Sequence, residues 1–455
     1  MQLPRQLLDS LVAVKGFDRT EFEKVHASGE QVTSVRLNPK KIFSKGVLTD
    51  NSQYSMFNVH GEISWTEHGY YLANRPSFTF DPLFHAGCYY VQEASSMFLE
   101  QALKQTVDLT KPLRVLDLCA APGGKSTHIL SLISKDSLLV SNEIIKSRAN
   151  ILMDNIDKWG CSNVMVTNND PKDFQQLENY FDVIVVDAPC SGSGLFRRDP
   201  EAISEWSLNN VNLCSQRQQR ILADVLPALK NGGVLIYSTC SYSNEEDEEI
   251  VEWMKTGLKI NNEELIIDPG WGVVESSGGY RFWPDKIKGE GFFIACFRNG
   301  AGEDEEYHHL RKNTDKFSKI EMEILNSYVK TEGLSFLQHG KIIHAVPENL
   351  NADIDYLQSK LRTVNFGSKI GEIIRGKMVP DHALAISNII SGEVETVELS
   401  YEQAIQYLKK KEVQVEIEKK GWKVVTYHGH PLGWINVLPN RINNYYPKEL
   451  RILKD

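Results

Sequence analysis

Nothing in the 455-residue chain reads as a membrane span, because no run of about 18 consecutive apolar residues occurs. The segment Met1-Gln2-Leu3-Pro4-Arg5 leads straight into an amphipathic stretch carrying Asp9, without the uninterrupted apolar run of a signal peptide. A cytosolic protein is expected. Closely spaced cysteines are also missing. Cys88, Cys119, Cys161, Cys190, Cys214, Cys240 and Cys296 are odd in number, and no two lie within four positions. That excludes a zinc finger or ribbon and argues against a disulfide framework. Most read as small buried hydrophobes. There is no internal repeat and no low-complexity segment.

An excess of positive charge is lacking, since the net charge is -10. Taken alone this opposes a nucleic-acid partner, which needs basic ground. Such ground exists locally, at Arg197-Arg198, Arg217 with Arg220, Lys409-Lys410-Lys411 and Lys419-Lys420. Two dense acidic runs hide it in the total. Glu245-Glu246-Asp247-Glu248-Glu249 reads as an acidic helix start, and Glu303-Asp304-Glu305-Glu306 as a solvated linker.

From about residue 112 to 298, short apolar runs alternate with helical stretches. Residues 113–118, 138–143, 164–167, 181–187 and 233–238 are the runs; 147–159 and 211–229 are helical. Continuous apolar runs of this kind predict parallel strands covered on both faces, hence an α/β, Rossmann-like sheet. Residues 278–283 and 292–297 predict an antiparallel closing pair at its edge. Residues 1–100 mix a helix near 6–13 with short strands such as 32–37, and read as a small α+β domain. The expected division is 1–100, 101–299, an intermediate and unpatterned 300–390, and 391–455. In the last, strands at 413–417, 422–427 and 432–435, punctuated by Gly421, Gly429 and Gly433, predict a small β-barrel.

The strongest local signal is Asp117-Leu118-Cys119-Ala120-Ala121-Pro122-Gly123-Gly124-Lys125-Ser126, which ends a strand and opens a helix. Small residues there let a ligand approach the backbone. A phosphate-binding P-loop would need glycine at the position of Cys119, so that reading is weak. A loop for S-adenosylmethionine, which carries no polyphosphate, competes with it, and so does a glycine-rich turn with no ligand. Glu143, ending the next strand, could accept both hydroxyls of a ribose. Asp170, ending the third, could accept from an adenine amino group or simply cap a helix. Asp187-Ala188-Pro189-Cys190-Ser191-Gly192-Ser193-Gly194 and Ser238-Thr239-Cys240-Ser241 end the fourth and fifth. These strands should be neighbours about 5 Å apart, so two thiols would face one cleft. Packing is the bland alternative, but both thiols sit among small polar residues.

Those three motifs resemble the motifs of the Sun/nucleolar-protein family of RNA cytosine-5 methyltransferases. So do Asn142-Glu143 through Arg148 to Trp159-Gly160, and Arg281-Phe282-Trp283-Pro284 followed by Gly291-Phe292-Phe293. The likeness covers about residues 90 to 298. The tail, with Gly421-Trp422, Tyr427-His428-Gly429, Pro431-Leu432-Gly433-Trp434 and Asn443-Asn444-Tyr445-Tyr446-Pro447-Lys448, resembles the PUA-like domain of bacterial RsmF-type 16S rRNA enzymes. The resemblance implies Cys240 as nucleophile, with Cys190 helping product release. Cytosine-5 DNA methyltransferases use the proline-cysteine thiol instead, so the chemistry alone leaves that choice open. It implies that residues Cys119, Ala120, Ala121, Pro122, Gly123, Gly124 and Lys125, with Glu143, Asp170 and Asp187, hold S-adenosylmethionine. Arg148 either helps near the ribose or lies on a helix surface. Where the family often carries histidine after the tryptophan-proline pair, this chain has Asp285-Lys286.

Covalent catalysis explains why such an enzyme needs a thiol. Carbon 5 of cytosine is a poor nucleophile until a thiolate adds to carbon 6 and makes an enamine. A carboxylate near the ring nitrogen would stabilise the adduct, and Asp187 is placed for this; Lys125 could favour the thiolate. The expected partner is 16S rRNA or the small ribosomal subunit, with no membrane and a monomer as the default. Flanking domains would position RNA by shape and phosphate contacts, and Arg197 and Arg198 are either RNA contacts or solvated surface. A tRNA acceptor and an inactive RNA-binding scaffold are the alternatives.

Overall fold

The computed structural model describes residues 3–42, 58–300, 317–417 and 419–454. The acidic run at 303–306 lies outside them. Among the described residues no helix is long and apolar enough to cross a membrane.

The central sheet has ten strands. Seven matter for the site: β1 (Arg114–Asp117), β2 (Leu138–Asn142), β3 (Val164–Thr167), β4 (Phe181–Asp187), β5 (Leu229–Thr239), β6 (Gly279–Phe282) and β7 (Phe292–Arg298). Their order is β6-β7-β5-β4-β1-β2-β3. β3, β2, β1, β4 and β5 are parallel, while β7 runs antiparallel to β5 and β6 antiparallel to β7. The expected closing pair is therefore present, extended at the edge by Val274–Ser276. Side chains alternate between two cores. Val115, Val183 and Val185 face one; Leu116, Ile184 and Val186 face the other. Coverage on both faces is what the continuous apolar runs required. Helices α1 (Gly124–Leu132), α2 (Lys146–Trp159), α3 (Leu208–Val225) and α4 (Glu248–Thr256) supply part of that cover.

Residues 317–386, unpatterned in sequence, form a four-stranded sheet with three helices against it, and one strand, Thr363–Phe366, leaves to pair antiparallel with β3. Leu334–His339 and Ile342–Pro347 do not alternate between buried and exposed residues, so no period of two appears in them. In the tail, Gly421–Tyr427, His430–Leu438 and Arg441–Asn444 pair antiparallel, with Thr396–Glu398 added in parallel. The strand expected at 413–417 is absent; that segment is irregular, with Val413 buried. Its alternating pattern reflects packing without a partner strand.

The amino-terminal sheet (Thr33–Leu37, Val59–Glu62, Gly69–Leu72, Tyr89–Val91) packs on this tail: Leu83, Cys88 and Tyr89 meet Tyr407, Val425 and Leu432 in one core. It also grips α1. Arg36, 1% exposed, donates to Gln92 Oε1 (2.8 Å), Ser131 Oγ (3.0 Å), Thr127 Oγ1 (2.7 Å), Thr127 O (3.4 Å) and Gly124 O (3.3 Å), and lies over the Trp159 ring at 4.6 Å. Burial lowers its guanidinium to about 9. Lys41 Nζ donates to Lys158 O at the end of α2 (2.7 Å), satisfying a carbonyl that the helix leaves open.

Candidate active site

The loop after β1 is shaped by hydrogen bonds and one glycine. Asp117 is fully buried and accepts from Ser126 Oγ (2.6 Å), whose oxygen accepts from Ser141 Oγ (2.9 Å). Asp117 Oδ1 has no partner, and burial lifts this carboxyl to about 7. The chain then passes a cis Ala121-Pro122 bond and turns at Gly123, whose φ of +115° suits only glycine. Arg148 ties the loop down, donating to Ala121 O (2.8 Å) while pairing with Glu143 Oε2 (3.3 Å). It is a clamp at the cleft rather than idle helix surface.

A cavity of about 500 Å³ opens beside this loop, lined by Ala121, Glu143, Ile144, Asp187, Cys190 and Cys240, among others. Ile144 and Ile145 are about half exposed (52% and 49%) next to the buried Glu143 carboxylate. Uncovered apolar carbons beside an acceptor fit an adenosine, with the ring on the isoleucines and the ribose on Glu143. Carboxylates and an orphan buried oxygen suit a cationic ligand and repel phosphates. Lys125 is engaged elsewhere, its Nζ 2.8 Å from Asp187 Oδ2. The P-loop reading therefore falls. Asp170 caps the turn that follows it, accepting from Lys172 N (3.2 Å), with its other oxygen 3.9 Å from Arg220. Pro171, the next residue, lines the cavity. The Cys119 thiol, also on the cavity wall, packs partly against the core, and burial pushes it up in pKa.

β4 and β5 are in register from Asp187 to Ser238, so the loops that follow them start side by side. Cys190 Sγ lies 2.9 Å from Cys240 Sγ, and both thiols are free. The Cys240 sulfur beside it, together with burial, raises the Cys190 thiol well above the usual range. Gly194 makes the approach possible: its N donates to Cys240 O (2.8 Å), and a Cβ there would stand 2.7 Å from that oxygen and 2.5 Å from Gly291 O. Asp187 accepts from Ser238 Oγ (2.8 Å) besides pairing with Lys125. A second cavity, of about 370 Å³, adjoins the first at Cys240, with Tyr90, Glu93, Lys125, Arg198, Glu290 and Phe292 in its wall. Asp187 and Cys240 line both cavities.

Sequence reasoning missed what holds the thiols. Glu246, fully buried, accepts from Ser191 N (2.8 Å), Ser191 Oγ (2.5 Å), Ser241 Oγ (2.7 Å) and Gln218 Nε2 (3.3 Å). One carboxylate thus binds both cysteine loops. Its neighbours also point inward: Asp247 accepts from Thr239 Oγ1 (2.6 Å), and Glu248 receives Arg281 Nε at 2.6 Å. The acidic run does start α4, but three of its carboxylates are interior. The available signal was the serines beside both thiols, since buried hydroxyls need an acceptor. Arg197 is likewise corrected. It is 8% exposed and donates to Glu30 O (2.8 Å) and Gly289 O (3.1 Å), so it braces the amino-terminal segment, whereas Arg198 is exposed at the cleft. Asp285 and Lys286 pair with each other at 2.9 Å.

Comparison with known proteins agrees with this geometry. A family model described as 16S rRNA methyltransferase RsmB/F matches residues 104–298. Models of the RsmF amino-terminal domain and the RsmF PUA domain match residues 3–94 and 394–452. A methyltransferase homologue from Pyrococcus horikoshii superposes with a TM-score of 0.52 at 26% identity, covering 65% of this chain and all (100%) of that one. NSun6 from the same organism, solved with SFG, shares the fold with a TM-score of 0.56 at 21% identity, over 65% of this chain and 98% of that one. Fold and site together define a Rossmann-like methyltransferase that uses S-adenosylmethionine. Ribosomal RNA small subunit methyltransferase F from Aeromonas salmonicida is 31% identical over 412 residues (85% of this chain, 84% of that one), and the Shewanella woodyi protein of the same name is 30% identical over 434 (92% and 90%). The chain belongs to the ribosomal RNA small subunit methyltransferase F family.

Proposed function

We propose that this protein methylates carbon 5 of cytidine in 16S rRNA, free or within the small ribosomal subunit, through a covalent adduct with Cys240. The observation that carries the reading is the meeting of two cavities at Cys240 and Asp187. One fits an adenosine-bearing cofactor; the other leaves room for a flipped base against the same thiol. Glu143, Ile144 and the loop from Cys119 to Lys125, with Arg148 behind it and Asp170 beside Pro171 at the cavity edge, would hold S-adenosylmethionine. When bound, that group supplies an electrophilic methyl, which carbon 5 takes once the ring is activated.

The protein's own residues do the rest. The Cys240 thiolate adds to carbon 6, forming a carbon–sulfur bond and moving the ring electrons toward nitrogen 3. Asp187, fixed by Lys125 and Ser238, stands where it can stabilise that nitrogen as it gains a proton. After methylation a water takes the carbon-5 proton, the double bond between carbons 5 and 6 re-forms, and the carbon–sulfur bond breaks to release Cys240 as the thiolate. Cys190, protonated and 2.9 Å away, donates a hydrogen bond to that departing sulfur.

The test uses small subunits from cells lacking the gene, incubated with enzyme and S-adenosylmethionine, with 5-methylcytidine mapped by bisulfite sequencing. New 5-methylcytidine with wild type, none with Cys240→Ala, and protein trapped on RNA with Cys190→Ala are expected. Activity surviving in Cys240→Ala overturns the choice of nucleophile. No methylation of subunits or naked rRNA, with turnover on tRNA, moves the assignment to tRNA.

A further inference from the structure

The base-side cavity holds three carboxylates, from Glu93, Asp187 and Glu290. Two are occupied. Glu93 accepts from Ser95 N (2.9 Å), Ser96 N (2.9 Å) and Glu290 N (2.9 Å), and Asp187 accepts from Ser238 while pairing with Lys125. Glu290 is different. It is 4% exposed, its Oε2 is buried without a hydrogen-bond partner, and the nearest cation, Arg197 Nη1, stands off at 3.9 Å. A buried carboxylate without hydrogen bonds is costly, and interiors rarely tolerate one without a use. Burial lifts this carboxyl to about 7; Arg197 and Arg198 pull it back, and Glu93 pushes it further.

Its backbone is held still relative to the thiol. Glu290 O accepts from Ser95 Oγ (3.0 Å), and the next residue, Gly291, donates to Gly194 O (3.2 Å), which is tied through its own N–H to Cys240 O. The carboxylate is thus mounted on the same frame as the nucleophile, in the wall of the second cavity and not of the first.

We infer that Glu290 is a specificity-determining residue that accepts a hydrogen bond from the exocyclic amino group of the target cytosine and so excludes uracil. Cytosine presents an amino donor at carbon 4; uracil presents a carbonyl oxygen there. A carboxylate attracts the first and repels the second, and a site built around a substrate hydrogen bond discriminates far more sharply than an apolar one. The inference rests on the proposed reaction, because it needs a pyrimidine in this cavity.

The experiment measures kcat/KM with tritiated S-adenosylmethionine on 16S transcripts carrying cytidine, uridine or the 4-deamino analogue pyrimidin-2-one at the modified position. Wild type is compared with Glu290→Gln, and calorimetric binding of S-adenosylmethionine reports that the fold is intact. The variant should lose about 10- to 100-fold on cytidine, lose nothing on the analogue, and discriminate less against uridine. If Glu290→Gln fails to bind S-adenosylmethionine, Glu290→Asp takes its place in the same comparison. An equal loss on cytidine and analogue, or no loss on either, overturns the inference. A wild type that makes no 5-methylcytidine overturns the proposed reaction instead, so the two failures are told apart.

Discussion

Removing the Glu246 carboxylate tests whether one buried acid sets the geometry of both thiols. In Glu246→Ala the Ser191 N–H loses its acceptor in a dry interior, which costs about 1–3 kcal/mol by itself. The two serine hydroxyls lie 3.4 Å apart and can turn to each other, and Gln218 keeps its bond to Pro189 O at 3.1 Å, so they add little. A gain offsets part of the loss, because burial has already raised the Glu246 carboxyl above its ordinary value. The net expectation is about 2 kcal/mol of destabilisation. Glu246→Gln keeps one acceptor for the N–H and should lose about half as much. Turnover should suffer more than stability. A shift of about 1 Å at a reacting group costs on the order of 100-fold, and Glu246 ties Ser191 to Ser241 right beside the two thiols. Urea midpoints followed by tryptophan fluorescence, and kcat on subunits, measure the two effects. Binding of S-adenosylmethionine should stay within a few fold, since Glu246 does not line that cavity. An alanine variant with wild-type kcat would refute the reasoning, even if it were less stable.

Three further outcomes follow from single contacts. Gly194→Ala drives a Cβ to 2.5 Å from Gly291 O, so the thiol loops must separate; a lowered melting temperature and a loss of about 100-fold in kcat are expected. Arg36→Lys cannot reproduce a fork serving five acceptors, and should lower stability by about 2–4 kcal/mol and weaken S-adenosylmethionine binding by loosening the first turn of α1, as read by thermal unfolding and calorimetry. His26 is buried against Phe22 and Tyr242, and burial depresses its imidazole from 6.5 to about 4, with the Phe22 carbonyl working the other way. Its folded value lies below its unfolded value, so the unfolded chain takes up the proton first. The stability tied to this group is complete above pH 6.5 and is lost as pH falls toward 4, by up to about 3 kcal/mol. The stability difference between wild type and His26→Gln, measured at pH 7.5 and 4.5, should shift against wild type at the lower pH.

The order of the apolar runs, read alone, was enough for the Rossmann-like sheet, its antiparallel closing pair and the loop after β1, because a strand buried on both faces has to be apolar throughout and its ligand loop has to be small. The cysteine motifs were equally legible, since chemistry restricts which residues can end those strands. Other matters had no local signature. Whether Asp170 held a ligand or capped a turn depended on which way one carboxylate faced. Glu246 and Arg197 looked like surface charges in sequence and became interior braces only when residues 50 or more positions away closed over them, as Ser191 closes on Glu246 and Glu30 on Arg197. The strand Thr363–Phe366 joined β3 across almost 200 residues. Sequence period reports burial and chemistry reports residue type, but the partner of a buried charge is chosen by long-range packing. The 2.9 Å approach of the thiols and the bare carboxylate of Glu290 were decided there.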